Sequence, residues 1–220
     1  RKAEKAISLH IKNALVIYDD SDIFYVDLSI KKKFDEKIDI NKYLPHILLE
    51  AQSLVYSNYK DIVIIHSINQ TIKVNGKEYI NSDLIDFSGS DVILSYKFLC
   101  LPKKKYLNVE DDFKKNNLNV LGLYSSSFVK SLKHKQIFNN KYLTFCLDVG
   151  WEQSRLICYE GEFIHFIGNI KIGGNHITKD ISKLLQVDIL QAEKIKVLFR
   201  SDKLNDQRIL TEITNESFLN

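Results

Sequence analysis

The chain has 220 residues, of which 45% are hydrophobic and 27% charged, so it has enough apolar material for a sizeable core and is not disordered by composition. Its 31 basic and 28 acidic residues give a net charge of +3, and this nearly balanced surface argues against a nucleic-acid partner. No apolar run approaches the roughly 20 residues of a membrane span.

The sequence starts at Arg1 and contains no methionine, which predicts a piece of a longer protein. Its three cysteines, Cys100, Cys146 and Cys158, form no metal-binding spacing. We therefore expect free thiols, mostly buried, in a reducing compartment.

The first third of the chain alternates strand and helix patterns. Residues 1–8 predict the end of a helix, and residues 11–18 and 23–31 predict two strands joined as a hairpin by a polar turn. Residues 40–56 predict a helix, because apolar side chains recur at steps of three and four on one face: Leu44, Ile47, Leu48, Ala51, Leu54 and Val55.

The middle of the chain is rich in strand patterns. Residues 61–68 and 92–101 predict apolar strands, the dipeptide Asn75-Gly76 predicts a tight hairpin turn, and Pro102 should end the second strand, because it cannot donate to a ladder. Residues 103–116 predict a surface helix whose inward side chains are Leu107, Val109 and Phe113.

The last part predicts a strand at 118–123 and a helix at 128–132 capped by the hydroxyls of residues 124–127. Strands at 142–148, 155–159 and 163–172 follow, with a hairpin turn at Gly161, and then a helix at 189–198. The tail, residues 201–220, is polar.

Glycines at two turns suggest a phosphate site in this last part. The strand at 142–148 leads into Gly150, and Gly173-Gly174 opens a helix. Because glycine has no Cβ, its backbone N–H can approach a phosphate closely, and the helix dipole favours the anion. At the strand end, Asp148 can hold a hydrated Mg²⁺ or orient a water. A single glycine pair is also compatible with an ordinary turn.

Glu193 and Lys196 are three residues apart on the last helix, so they lie on one face. There they can meet a ribose or a base, or they can form a plain surface pair.

In their order and spacing these motifs resemble the second half of an actin-like ATPase, most closely the bacterial cell-division family FtsA. The resemblance is carried by Asp-Val-Gly at 148–150, Gly-Gly-Asn-His-Ile-Thr-Lys-Asp-Ile at 173–181 and Ala-Glu-Lys-Ile-Lys at 192–196. It implies a mixed α/β protein with part of an actin-like ATPase fold and a small inserted module of strands and helices.

The resemblance also implies a domain plan. The first actin-like subdomain would end at 1–35 and resume at 117–140 around the inserted module, 36–116, which we expect to be the self-association or partner surface. The second subdomain would start at 141–200, and the tail would follow at 201–220.

The implied function is an assembly protein that binds ATP with Mg²⁺, associates into protofilaments and links the FtsZ ring to the membrane and later division proteins. Asp148 would serve the Mg²⁺ or a water, and Glu193 and Lys196 would contact the nucleoside. The phosphates would lie on Gly150, Gly173, Gly174 and Asn175. We expect the family's first phosphate loop, most of its fourth subdomain and its C-terminal amphipathic membrane helix to lie outside this sequence.

One departure from the family lies in the loop after Gly150, where Gly-Gly-Gly-Thr is replaced by Gly-Trp-Glu-Gln at 150–153. Trp151 either fills the phosphate pocket or packs outward on a strand, and Glu152 repels a polyanion. We therefore expect weak nucleotide binding. Two alternatives share the fold: a PilM-like pilus-assembly scaffold, and a sugar or acetate kinase, for which the chain shows no sugar-binding acid–base pair.

Overall fold

A computed structural model of the chain describes residues 2–34, 40–79, 90–135, 143–161 and 163–199. The predicted tail and residue 142 lie outside these ranges. Within them the chain is mixed α/β, as predicted, with these elements: α1 (Lys2–Ile7), β1 (Asn13–Tyr18), β2 (Phe24–Phe34), α2 (Ile40–Asn58), β3 (Ile62–Val74), β4 (Lys77–Tyr79), β5 (Ser90–Pro102), α3 (Lys103–Lys114), β6 (Asn119–Ser125), α4 (Ser126–Lys135), β7 (Leu143–Val149), β8 (Ser154–Glu160), β9 (Phe163–Ile170), α5 (Gly174–Leu185) and α6 (Ile189–Phe199).

The elements belong to two compact units. The first comprises Arg1–Cys146 and Ile157–Ile167, and the second comprises Leu147–Leu156 and Gly168–Asn220. The strands form a two-stranded sheet β1-β6, a four-stranded sheet β2-β5-β3-β4 and a three-stranded sheet β7-β8-β9. None of the helices in the described ranges combines the length and hydropathy that a membrane crossing requires.

The predicted hairpin of the first two strands is wrong. β1 pairs in parallel with β6, and β2 pairs along its whole length with β5, antiparallel. In the polar turn between β1 and β2, Asp20 and Asp22 both bind the ammonium group of Lys105 on α3. The hairpin does not form because each strand pairs with a strand far along the chain, β1 with β6 and β2 with β5.

The residues of the predicted inserted module, 36–116, include three of the four strands of the sheet β2-β5-β3-β4. α2 packs Ile47, Ala51 and Val55 against it, each at most 4% exposed, whereas Leu54, which was predicted to face inward, is 41% exposed. β5 lies between β2 and β3, so β2 and β4 are the outer strands. The predicted module boundary at residue 36 leaves β2 outside, although β2 shares this sheet.

Local sequence signals at the turns of this sheet are confirmed. Asn75 and Gly76 have φ values of 49° and 82° and join β3 to β4, with Val74 opposite Lys77. β5 ends at Pro102 and α3 starts at the next residue. On α3, Leu107 is exposed, and Tyr106 packs inward together with the predicted Val109 and Phe113.

A buried polar network fixes the start of α4. Asp19 accepts hydrogen bonds from the hydroxyl of Ser125 (3.1 Å) and from the backbone N–H of Ser127 (3.0 Å), and also from the Ser127 hydroxyl. The ring of His66 accepts the backbone N–H of Ser125 on Nε2 at 2.9 Å and packs on Phe128. Burial lowers the pKa of His66 to about 4, so the ring is neutral and can act as the acceptor.

Candidate functional site

The predicted site residues meet in the second unit, where the 150–153 loop touches the N-terminus of α5. The N–H groups of Gly174 and Asn175 donate to the carbonyl oxygens of Gly150 and Trp151, each at 2.8 Å. Gly150 also donates its own N–H to the carbonyl of Gln153 at 2.9 Å, which closes the loop on itself. The first amides of α5, which the sequence analysis assigned to phosphates, therefore bind the protein's own backbone.

Gly173 is required by this close approach. A Cβ placed on it would lie 2.5 Å from the carbonyl oxygen of Trp151, 2.6 Å from that of Gly150 and 2.7 Å from the backbone nitrogen of Gln153. All three atoms belong to the backbone, so no side-chain rotation can make room. The φ of Gly173 is −146°, which any residue can adopt, so the requirement is for space and not for an unusual backbone angle.

A histidine completes the cap of α5. The N–H of Gly173 donates to Nδ1 of His176 at 3.1 Å, and the N–H of His176 donates back to the carbonyl of Gly173 at 3.0 Å. This reciprocal arrangement resembles a capping box. It satisfies a further amide of the turn that leads into the helix.

Glu152 adds a charge to the loop contact. Its Oε1 accepts a hydrogen bond from Nδ2 of Asn175 at 2.6 Å, and Asn175 is only 8% exposed. A carboxylate beside the first turn of a helix is favoured by the helix dipole. Glu152 is therefore an anion supplied by the chain itself at the place where the sequence analysis expected a bound one.

Lys196 on α6 connects the loop to both helices. Its Nζ donates to Oγ1 of Thr178 at 2.8 Å and to the carbonyl of Gly174 at 3.2 Å, and it pairs with Glu193 at 2.5 Å. The same Nζ lies 4.8 Å from the ring centre of Trp151, a cation–π contact. Trp151 is half exposed and lies against Lys196.

Glu193 is held by two donors. Lys196 and the hydroxyl of Thr178, at 2.5 Å, both bind its carboxylate, and together they keep the pKa of Glu193 below its usual value. The structure thus brings the predicted nucleoside residues Glu193 and Lys196 together, but both contact Thr178 and each other.

Asp148 lies near the end of β7, two residues before Gly150, and is partly buried. In the parts of the chain that the structure describes, no group of three or more His, Cys, Asp or Glu residues is placed to hold a metal ion. The assignment of Asp148 to Mg²⁺ or to a water stays a prediction.

The sequence pattern led us to assign no role to His176 or Thr178, although both lie in the motif at 173–181. The signal for both is their distance from the glycine pair. His176 is the third residue of α5, the position at which a capping side chain acts. Thr178 lies one helical turn after Gly174, so its hydroxyl reaches the Gly174 carbonyl at 3.0 Å.

In this conformation the amides at the start of α5 are not available to a nucleotide's phosphates. The amides of Gly174, Asn175 and His176 are bonded to carbonyl oxygens, and the amide of Gly173 is bonded to a ring nitrogen. At this N-terminus of α5, the side-chain amide of Asn175 donates to the carboxylate of Glu152, which is already an anion at the helix end that favours one. A phosphate could bind these amides only if the 150–153 loop moved away.

Comparisons with known proteins find similarity to FtsA cell-division proteins. The family model "Cell division protein FtsA" matches residues 145–217. The cell division protein FtsA of Helicobacter pylori is 21% identical over 136 residues, 62% of this chain and 27% of that protein. FtsA of Agrobacterium fabrum is 24% identical over 198 residues, 88% of this chain and 42% of that protein.

The chain therefore spans between about a quarter and two fifths of these curated relatives. Among solved structures, the PilM–PilN type IV pilus biogenesis complex superposes on 93% of this chain and 56% of the other, with a TM-score of 0.54 and 14% identity. A similarity at that identity indicates the fold and not the function. Together, the family match, the curated relatives and the shared fold support a partial FtsA-like protein of actin-like fold.

Proposed function

We propose that the chain is part of an FtsA-like cell-division protein that acts by assembly on the inner face of the cell membrane at the division site. The observation that carries this proposal is the family match at residues 145–217, which starts in β7 and includes the whole contact between the 150–153 loop, α5 and α6. Self-association, binding of the FtsZ ring and recruitment of later division proteins follow from that family. Membrane attachment would be indirect, through a C-terminal helix outside this sequence.

The inserted module is the proposed self-association surface. Its α2 helix covers one face of the sheet with Ile47, Ala51 and Val55 and leaves Leu49 62% exposed. Tyr56, seven residues later and therefore on the same face of α2, is 47% exposed, and two exposed apolar side chains on one helix face can contact a second copy of the protein. The outer strand β2 is a less suitable surface, because it carries Lys31, Lys32 and Lys33, and lysines discourage strand addition at a sheet edge.

Sedimentation velocity tests this surface. The chain should form dimers or longer assemblies as its concentration rises, and Leu49→Asp should weaken that association at least tenfold, because it places a charge in an apolar contact. Leu184→Asp is the matched control, since Leu184 is 80% exposed on α5 in the second unit. A chain that stays monomeric at every concentration, or equal weakening by both substitutions, would contradict the assignment.

Binding to division partners is the test of the family function. The longest natural form of the protein should co-sediment with polymers of the host's FtsZ, and a fluorescent fusion should gather at the septum. Absence of both, with the protein folded, would reject the division role.

A PilM-like pilus scaffold is the second candidate. The observation that favours it is the superposition of 93% of this chain on the PilM–PilN complex. Capture of the host's PilN-type protein, without capture of FtsZ, would select this alternative.

ATP with Mg²⁺ is the cofactor that the fold implies for either candidate. The residues of this chain that would lie nearest to it are Asp148, Gly150, Gly173, Glu193 and Lys196. Because the α5 amides are already bonded, we expect titration of this chain with Mg-ATP to show no saturation below about millimolar concentration, that is, less than about 4 kcal/mol of binding.

A further inference from the structure

We propose that α2 contacts the α2 helix of a second copy of this chain, and that the two helices pair antiparallel about a two-fold axis. This inference rests on the proposed function in taking the inserted module as the self-association surface. It goes further in naming the contact, in which Leu49 of each copy lies opposite Tyr56 of the other.

A row of exposed side chains runs along the outer face of α2, and we call it the α2 seam: His46, Leu49, Ser53 and Tyr56. The steps between these residues are three, four and three, which is the spacing of the contact row in paired helices. All four are exposed, Leu49 by 62% and Tyr56 by 47%. The opposite face of the helix packs on the sheet, so α2 has a second row that is unpaired within the part of the chain that the structure describes.

The α2 seam is poor in charge. Between Pro45 and Asn58 the helix has one charged residue, Glu50, and its carboxylate binds Lys32 on β2 at 2.7 Å, whereas 27% of the whole chain is charged. The centres of protein–protein contacts are depleted of charged residues and enriched in tyrosine. A second copy can therefore cover the α2 seam without burying an unpaired charge.

Tyr56 is held in position by the chain's own backbone. Its hydroxyl accepts a hydrogen bond from the N–H of Ile64 on β3 at 3.2 Å. Ordering a side chain on association costs free energy, and a ring that is already fixed loses less of it. Tyr56 is therefore suited to be the fixed side of the contact with Leu49.

Spacing and charge favour an antiparallel pair. Leu49 and Tyr56 are two turns apart, about 10.5 Å along the helix, and a two-fold axis midway between them, at Gln52 and Ser53, places each opposite the other. The small side chain of Ser53 then lies at the centre, where the helices approach most closely. Lys42, which is exposed in the same row, would lie beyond the C-terminal end of the other α2, where the helix dipole favours a cation. A parallel pair would instead bring the two copies of Lys42 together.

Disulfide formation at Ser53 tests the two-fold axis. In the full chain, Ser53→Cys should give a cross-linked dimer under mild oxidation, because the axis brings its two copies to the Cα separation of about 4.4–6.8 Å that a disulfide needs. Ser57→Cys is the matched control. It is exposed one turn later, and its two copies would be about 13.5 Å apart along the helices, so it should remain uncrosslinked. The natural chain, with its three free cysteines, gives the background.

An exchange of charges tests which residues face each other. In sedimentation velocity, Leu49→Lys and Tyr56→Glu should each weaken association at least tenfold, since each places a charge in an apolar contact. Both substitutions in one chain should recover most of that loss, because every introduced lysine then faces an introduced glutamate of the other copy. In a parallel or a head-to-tail contact these positions do not meet, so the double variant would stay as weak as the single ones.

The outcomes separate this contact from the proposed function. Self-association without a Ser53→Cys cross-link, equal cross-linking of Ser53→Cys and Ser57→Cys, or no recovery in the double variant would each overturn the α2 pairing and leave self-association standing. Cross-linking and recovery without FtsZ binding would support the pairing and reject the division role. A chain that stays monomeric at every concentration would overturn the pairing together with the self-association on which it rests.

Discussion

Replacing Gly173 by alanine tests the contact on which the site is built. The new methyl group would meet three backbone atoms of the 150–153 loop at 2.5–2.7 Å, so the loop must move off the start of α5. We expect it to lose the two hydrogen bonds from the Gly174 and Asn175 amides and to weaken the charged bond between Glu152 and Asn175.

The magnitude follows from these losses. Two neutral hydrogen bonds contribute about 2 kcal/mol, and one charge-assisted bond contributes about 1.5–3 kcal/mol. Alanine restricts the unfolded chain and restores about 0.4–1 kcal/mol, which leaves a net destabilisation of about 3 kcal/mol. For a chain of this size that corresponds to a fall of about 6–12 °C in the unfolding midpoint.

Thermal unfolding followed by Trp151 fluorescence is the assay, since the chain's single tryptophan lies in the affected loop. Gly174→Ala is the matched control. A Cβ there finds its nearest neighbour, the Nζ of Lys196, at 3.4 Å, an ordinary van der Waals distance, and alanine favours a helix more than glycine does, so its midpoint should equal or exceed that of the natural chain. Equal midpoints for Gly173→Ala and the natural chain would refute the close-approach argument.

Three further experiments test the first unit. Asp19→Ala removes the acceptor of the Ser127 amide at the start of α4 and should cost about 2 kcal/mol in urea unfolding, as for other lost helix caps. The side chain of Lys97 is 3% exposed, and Asp27→Ala removes the carboxylate that its ammonium group binds. This substitution should lower the free energy of unfolding by about 2 kcal/mol, and adding Lys97→Met should recover most of the loss. Neutral His66 contributes stability that is complete above pH 6.5 and is lost as the pH falls towards its pKa of about 4. Between pH 6.5 and 5 the free energy of unfolding of the natural chain should therefore fall more steeply than that of His66→Gln. Parallel curves of unfolding free energy against pH would contradict this.

Local chemistry explains the parts of the fold that could be predicted. The Asn75-Gly76 turn needs only the φ values that these two residues tolerate, and Pro102 acts on its own strand. The predicted β1–β2 hairpin was wrong because the partners of these strands, β6 and β5, lie far along the chain, and no local pattern reveals such a partner. Leu107 was misplaced because helical spacing alone could not show that Tyr106 occupies the inward position.

The sequence predicted which residues form the candidate site but not which atoms of these residues contact each other. The resemblance located Gly150, Gly173, Gly174, Asn175, Glu193 and Lys196, and the structure places all of them in the second unit. It could not show that the carbonyls of the 150–153 loop bind the α5 amides, because a residue pattern does not give the backbone path of a loop. His176 and Thr178 were missed for the same reason, since their roles follow from the start of α5.

The parallel pairing of β1 with β6 has a consequence for the order of folding. The paired residues Asn13 and Asn119 are 106 positions apart, and closing a free loop of that length costs about 4 kcal/mol of chain entropy before any constant term. Once β2 and β5 have paired, Phe24 lies opposite Cys100, and roughly 30 residues of free chain remain, which lowers that cost by about 1 kcal/mol. The module should therefore form first and template the β1–β6 pair, so that in a pulsed hydrogen-exchange experiment the amides of β2, β3 and β5 become protected before those of β1 and β6.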